Sequence, residues 1–393
     1  MEKNFSHLHA HSEYSLLDGK SSVKELIDKA KSLGQESIAI TDHGSTSGLW
    51  SAQKYAEQVG VKLILGSEFY YQRENDDKNG HLLLLAKNQE GLRNIFELQK
   101  YGATKNFYYR PRIDWNTLIK HKEGLIVLSA CLASTINQYI MSGDLDEAME
   151  WARKFQEEFG EDFYLEIQPN QLLEQYNVNK ELVNISKKLN IKLVATNDVH
   201  YANEEDWYAH EVMLAMQTKK KMSDPERFKF ETKDFWMRSR EEMKENFNGL
   251  PDEIVEEALN NTKKISDKCN AKLIPKKSLP SYYDVPEGKT SRDVLVDELM
   301  KGAREKGLSG DKQYMKAVQE ELNVIDEEGY SDYFLIVQDY IRSARERGEV
   351  VGDGRGSAAG AKSSYLLDIT RVNPDEHNLL FERFMAKGRS PDK

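Results

Sequence analysis

Ser37-Ile38-Ala39-Ile40-Thr41-Asp42-His43-Gly44 is a short apolar run that ends on an aspartate, a histidine and a glycine. Its first five residues read as a buried strand, stopped by the polar turn that follows. A histidine placed where a buried strand runs out stands on the rim of a sheet, the face on which α/β barrels assemble their active sites. Working outward from it, the same arrangement recurs. Upstream, Phe5–His9 reads as a strand that carries His9 and leads into His11. Downstream, Lys62–Phe69 ends near Glu68, Leu125–Ala130 runs into Cys131, and Lys192–Thr196 runs into Asp198 and His200. His81 departs from the pattern, because it opens its predicted strand, His81–Ala86.

Helical patterns separate these strands. Ser22-x-x-Glu25 is a capping box, followed by Val23, Leu26, Ile27, Ala30 and Leu33 at helical spacing, with Gly34 as a stop. Further helices are predicted over Thr46–Val59, Glu90–Tyr101, near 133–141 and 144–159, and over Leu172–Leu189, with another strand at Phe163–Ile167. Alternating strands and helices of this length predict parallel βαβ units. Six or seven of them over about 200 residues fit a closed or nearly closed barrel. Residues 204–268 read as a helical annex, with a second capping box at Ser239-x-x-Glu242.

A chain of 393 residues is long for one domain and can bury a core without a disulfide. Its two cysteines, Cys131 and Cys269, suit a reducing cytoplasm. The longest apolar runs are strand-sized, so no membrane partner is expected. A net charge of −11 argues against binding nucleic acid by bulk charge, while leaving room for a local basic groove.

Nine side chains able to hold a metal therefore lie in six patches: His9, His11, Asp18, His43, Glu68, His81, Cys131, Asp198 and His200. His-x-His and Asp-x-His each put two ligands on one strand face. Imidazole and carboxylate together suit zinc, manganese or iron. Nine ligands exceed the needs of one ion, so two to three divalent ions are implied, with Glu68 as a bridge. Clustered ions suit in-line phosphoryl chemistry. Taken singly, Cys131 also reads as a small core residue and Asp18 as a turn residue. Asp42 reads as a ligand or as the group that orients a neighbouring imidazole. His7 reads as a tenth ligand or as a lining residue.

These patches resemble the polymerase and histidinol phosphatase (PHP) family. His7-Leu8-His9-Ala10-His11-Ser12-Glu13-Tyr14-Ser15-Leu16-Leu17-Asp18-Gly19 and Ala195-Thr196-Asn197-Asp198-Val199-His200-Tyr201 are similar to the alpha subunits of bacterial replicative (C-family) DNA polymerase III. So are the stretch Gly329–Val337, Gly354-Arg355-Gly356-Ser357-Ala358-Ala359-Gly360 and Asn378-Leu379-Leu380-Phe381-Glu382-Arg383-Phe384. The resemblance implies an α/β chain: a PHP domain built as a distorted seven-stranded β/α barrel over residues 1–272, a Pro-containing linker at 273–290, and over 291–393 the first part of an α/β palm of the polymerase beta-like nucleotidyltransferase type. It implies that the nine residues hold a trinuclear site associated with 3′–5′ exonuclease activity.

In the palm segment, Gly354, Arg355, Gly356 and Ser357 form a glycine-rich turn ahead of a predicted helix at about 358–367. Its N–H groups suit a phosphate. The resemblance makes it the triphosphate-binding turn, although Asp353 stands where the family usually has proline. A strand is predicted near Ile369–Val372. The family's magnesium-binding aspartates follow the Phe-Glu-Arg-Phe motif, and this sequence stops at Pro391-Asp392-Lys393. The expectation is therefore a phosphoesterase acting on DNA, without polymerase activity. Magnesium, deoxynucleoside triphosphates, primer-template DNA in the polymerase cleft, the sliding clamp and other replisome proteins belong to the complete enzyme. A metal-stabilised non-catalytic scaffold and a small-substrate phosphatase are the alternatives.

Overall fold

The computed structural model describes residues 5–72, 79–275 and 279–386. It divides into two compact units, Met1–Ile274 and Pro275–Lys393. The sequence's end at Pro391-Asp392-Lys393 lies outside the described residues.

The first unit is built on eight strands: β1 (Ser37–Ile40), β2 (Lys62–Gln72), β3 (Asn79–Ala86), β4 (Phe107–Tyr108), β5 (Arg110–Ile113), β6 (Leu125–Leu128), β7 (Phe163–Ile167) and β8 (Lys192–Ala195). β1 pairs parallel with β2, β2 antiparallel with β3, and β3 antiparallel with β6, while β6–β7 and β7–β8 are parallel. The opening segment closes the ring. His7 bridges Ile38 on one side and Ala10 bridges Val199 on the other, both parallel. Thr41 N donates to Ala10 O at 2.9 Å, His11 N to Val199 O at 2.8 Å, and Val199 N to His9 O at 3.0 Å. The result is a distorted barrel of seven staves. The predicted strand Phe5–His9 exists only as these bridges.

One expectation changes. β3 is antiparallel to both neighbours, so the barrel is not a run of parallel βαβ units. Only six residues separate Gln72 from Asn79, too few for a crossover helix. This reversal also accounts for the odd position of His81. The start of an antiparallel strand lies at the barrel end where its parallel neighbours finish, and His81 pairs with Tyr70 there.

Side-chain alternation sorts the strands' residues between two cores. Leu83, Leu85, Ile126, Leu128, Tyr164 and Val194 fill the barrel with Leu8, Ala39 and Ile64. Leu82, Leu84, Leu125, Val127, Leu165 and Ile167 face outward into the layer of helices. The helix Asp252–Lys268 contributes Ile265 to the inner cluster, which Cys269 joins from the helix's C-cap. It is bonded to the barrel through Ser6 N to Thr262 Oγ1 at 3.1 Å and Asn261 Nδ2 to Leu193 O at 2.8 Å. One end of the barrel is thus filled with apolar side chains, and the polar residues collect at the other. Both capping boxes form, at Ser22/Glu25 and at Ser239/Glu242.

In the second unit the helices Ser291–Glu305, Lys312–Glu327 and Ser331–Glu346 pack on Leu295, Leu299, Val318, Leu322, Ile325, Phe334 and Leu335. The predicted helix at 358–367 is broken. A 3-10 turn, Gly356–Gly360, is followed by a five-residue helix, Lys362–Leu366, with Ala361 extended between them. The glycine-rich turn therefore gains no helix dipole of consequence. Ile369–Val372 forms no strand; Ile369 N and Thr370 N close the preceding helix on Ser364 O at 3.0 and 3.2 Å, and only Arg371 N reaches another segment, Asp353 O at 2.6 Å. One such bond is not a ladder, and no other described segment of this unit is a strand.

Candidate metal centre

At the polar end of the barrel the nine predicted side chains come together, five of them around Glu68, which is buried. Its Oε1 lies 3.3 Å from His9 Nε2, 3.2 Å from His81 Nδ1 and 3.8 Å from Cys131 Sγ. Its Oε2 lies 2.6 Å from His43 Nδ1 and 3.6 Å from His11 Nε2. Asp198 Oδ1 stands 3.2 Å from His9 Nε2 and 3.1 Å from His11 Nε2, and those two nitrogens are 3.1 Å apart. Asp18 reaches His43 Nε2 at 3.0 Å and His200 Nε2 at 3.7 Å. His9–His11 and Asp198–His200 stand at opposite ends of the strand series. They meet because the barrel closes between Ala10 and Val199.

The local backbone is bent to do this. Leu17, Ala130 and Asp198 hold positive φ angles of 60°, 64° and 48°. Each is a ligand candidate or the residue just before one, where left-handed backbone is tolerated for what it positions. Gly19 lets the Asp18 loop lie against the chain, since a Cβ there would stand 2.1 Å from Ser12 O.

The surroundings fix the imidazoles. His9 Nδ1 donates to Glu166 Oε1 at 2.6 Å. Glu166 also accepts from Gln168 Nε2 at 2.9 Å and from the Thr196 hydroxyl. Ser15 Oγ donates to Asp42 Oδ1 at 2.8 Å and so accepts from His11 Nδ1 at 3.2 Å. His200 Nδ1 donates to Asp198 O at 2.7 Å. Each of these three rings is held by Nδ1, which leaves Nε2 for the centre. Asp42 acts on His11 only through Ser15, as an orienting residue. His7 points elsewhere, with Nε2 on Arg238 O at 2.8 Å, and burial pushes its pKa down to about 4.

Two groups in the site were not singled out from sequence. Glu166 is one, and a lone carboxylate in the apolar run Phe163–Ile167 was a readable signal, because a buried charge needs a partner. His210 is the other. It lies on the helix Trp207–Gln217, buried, with Nε2 3.9 Å from Asp18 Oδ1 and its ring 5.3 Å from that of His200. No sequence spacing announces it, since only the folding of the annex brings it in.

The charge balance shows what the cluster can hold. Burial opposes protonation of His9, yet Glu166, Asp198 and Glu68 outweigh it and hold its pKa well above the ordinary value. His43 is raised in the same way by Glu68 and Asp18. His11 goes the other way: burial and then His43 push it down to about 3. Burial works against ionisation of Asp18, Glu68 and Asp198, but the surrounding imidazoles hold all three carboxyls below their usual range. Burial and the carboxylates of Glu68 and Asp198 push the Cys131 thiol well up. His43 Nδ1 and Glu68 Oε2 are buried 2.6 Å apart without the alignment of a hydrogen bond, and His210 Nε2 is buried with Asp18 Oδ1 no nearer than 3.9 Å. Buried acceptors crowded together in this way call for cations, and the donor set of imidazole, carboxylate and thiol fits divalent metals. The triplets His9/His11/Asp198, His43/Glu68/His81, His11/His43/His200 and Asp18/His200/His210 each bring three ligand atoms within 4.8 Å of one another.

The centre opens into a cleft of about 520 Å³ with Asp18, His43, His81, Cys131, Asp198 and His200 on its walls, beside Tyr70 and Arg110.

Two protein families match the chain. A family described as the PHP domain matches residues 7–170, and one described as the bacterial DNA polymerase III alpha NTPase domain matches residues 293–392. The DNA polymerase III subunit alpha of Aquifex aeolicus is 39% identical over 99% of the chain, and that of Borreliella burgdorferi 40% identical over 98%. The chain belongs to the DNA polymerase III alpha family. It spans about a third of the length of these curated relatives, 35% and 34%. Asp198, His200 and His210 lie beyond the matched PHP stretch, yet the barrel seam and the annex bring them to the same centre. No helix among the described residues is long and apolar enough to cross a membrane.

Proposed function

We propose that the centre binds two to three divalent cations, zinc, manganese or iron, and hydrolyses DNA phosphodiesters from the 3′ end. The observation that carries this reading is the convergence of all nine candidate ligands, with their orienting partners, at the open end of a barrel belonging to a polymerase family. His9, His11, His43, His81, His200, Asp18, Glu68, Asp198 and Cys131 hold the ions, and His210 is a tenth candidate. Such ions supply Lewis acidity at the phosphoryl oxygens and lower the pKa of water. The chain's own part is to hold three imidazole tautomers through Glu166, Ser15 and the Asp198 carbonyl. Glu68 and Asp198 supply negative charge between the rings, and Cys131 releases its proton on binding a cation, which favours zinc at one position. The triphosphate role of Gly354, Arg355, Gly356 and Ser357, with magnesium, nucleotides, the sliding clamp and other replisome proteins, is proposed for the complete polymerase only.

On a primer labelled at its 3′ end, the purified chain should release label in the presence of manganese or zinc, and chelator or Asp198→Ala should stop it. Label release that survives Asp198→Ala belongs to a contaminant and sinks the reading. A second reading, a metal-stapled scaffold, is favoured by one observation: the closing bridge between Ala10 and Val199 is flanked on both strands by ligands. Metal-dependent stability without label release selects it.

Glu166→Gln keeps the shape of the side chain but loses the charge that holds His9. The expected result is a roughly 10–100-fold loss of metal affinity, the usual effect of removing an orienting partner. Calorimetric titration of stripped protein with zinc measures it, and unchanged affinity would remove Glu166 from the centre.

A further inference from the structure

The hairpin formed by β4 and β5 carries the sequence Phe107-Tyr108-Tyr109-Arg110-Pro111-Arg112, and the metal chemistry makes no use of it. It is the outer edge of the sheet, where exposed apolar side chains are normally avoided. Yet Phe107, Tyr108 and Tyr109 are 64%, 47% and 82% exposed. Register ties this edge to the metal centre. His81 pairs with Tyr70 and Tyr70 pairs with Arg112, so the three lie in one row across β3, β2 and β5. Residues paired across a sheet share a face, and neighbouring strands are about 4.8 Å apart, so Arg112 lies about 10 Å from His81 along that row. Arg110 stands two residues further on the same face, opposite Tyr108, and lines the metal cleft with Tyr70.

Two further contacts define the surface. The Arg110 guanidinium lies 5.5 Å from the centre of the Tyr70 ring, and that of Arg112 lies 4.9 Å from the Tyr108 ring. Arg112 is 7% exposed and bonds Asn106 Oδ1 through Nη2 at 3.2 Å, while its Nε and Nη1 have no hydrogen-bond partner. A buried guanidinium with unpaired donors is a standing positive charge, and an anion docked above it offsets the cost. Aromatic faces interleaved with arginines suit a chain that alternates flat bases with phosphates.

Resting on the reading of the chain as one that acts on DNA, we infer that this ridge binds the unpaired nucleotides of a DNA strand whose end enters the metal cleft. Bases stack on Tyr108 and Tyr109, and backbone phosphates lie against Arg110 and the charge of Arg112. At a rise of at least about 3.4 Å per nucleotide, roughly three nucleotides or fewer cover the span from His81 to Arg112.

Binding of a 5′-fluorescein-labelled dT12 to the whole 393-residue chain, followed by anisotropy in chelator, tests the ridge with hydrolysis switched off. Tyr108→Ala and Tyr109→Ala are each expected to weaken binding roughly tenfold, or about 1.4 kcal/mol. Tyr109→Phe, which keeps the ring, should stay within about twofold of the parent. Arg110→Ala should weaken binding and flatten the slope of log Kd against log salt by about 0.7. Variants that fold as the parent by circular dichroism and bind dT12 with unchanged Kd overturn the inference, as does a parent chain that does not bind dT12. Ridge-dependent binding in a chain that never releases a 3′ label keeps this inference and removes the nuclease reading.

Discussion

Replacing Glu68 by glutamine is expected to strip the centre of its cations and to lower 3′-label release by more than about a hundredfold, beyond the range typical of an orienting partner. Among the described residues Glu68 is the one side chain in contact with ring nitrogens of four candidate histidines, His9, His11, His43 and His81, and it also neighbours Cys131. Glutamine keeps the volume, so the barrel core is not opened. What changes is the charge. The amide removes an anion from between rings that hold it ionised, and its NH2 places donors where buried nitrogens need an acceptor or a cation. Desolvation of the remaining ring charges is then uncompensated. Elemental analysis and the label-release assay should fall together. Full metal content in Glu68→Gln would show that Glu68 does not bridge.

The two halves of the site were not equally legible. His43 could be read from the apolar run that precedes it, and His9, Glu68, Cys131 and Asp198 in the same way, because a buried strand that ends in a ligating residue states its own position. His81 looked like an exception because the sequence does not carry strand direction. The predicted strands Lys62–Phe69 and His81–Ala86 left the gap long enough to hide the reversal; only the longer observed strands, ending at Gln72 and starting at Asn79, make it plain. His7 was indistinguishable from His9 and His11 by alternation, since period two says which face a residue takes but not what waits there. Here that was the Arg238 carbonyl. His210 reaches the site through an annex whose fold no local pattern encodes. In the second unit the three long helices each bury one apolar face, on Leu295 and Leu299, on Val318, Leu322 and Ile325, and on Phe334 and Leu335. The predicted strand at Ile369–Val372 failed because strand propensity is realised only beside a partner strand.

Metal removal should make stability depend on pH in a way that metal restores. In the stripped protein His9 and His43 have raised pKa values. Their contribution is complete below the ordinary histidine pKa, about 6.5, and is lost as pH rises through the folded values above it. His7, His11 and His210 are lowered, so the unfolded chain takes up protons that they refuse, and stability falls as pH drops below about 6.5. The depressed carboxyls Asp18, Glu68 and Asp198 add a further loss below about 4. The stripped chain should therefore be most stable near pH 6.5. Divalent cations displace the protons from His9 and His43, so their affinity rises with pH and the alkaline loss disappears. Each displaced proton is worth about 1.4 kcal/mol per pH unit, and each kcal/mol about 2–4 °C in Tm for a unit of this size. Thermal melts with zinc and with chelator should thus coincide most closely at mildly acidic pH and diverge steadily from pH 6.5 to 8.5, by several degrees per pH unit. A separation that stays constant over that range would mean that the histidines are not the groups the cations displace protons from. Melts that coincide at every pH would mean that no cation binds at this centre.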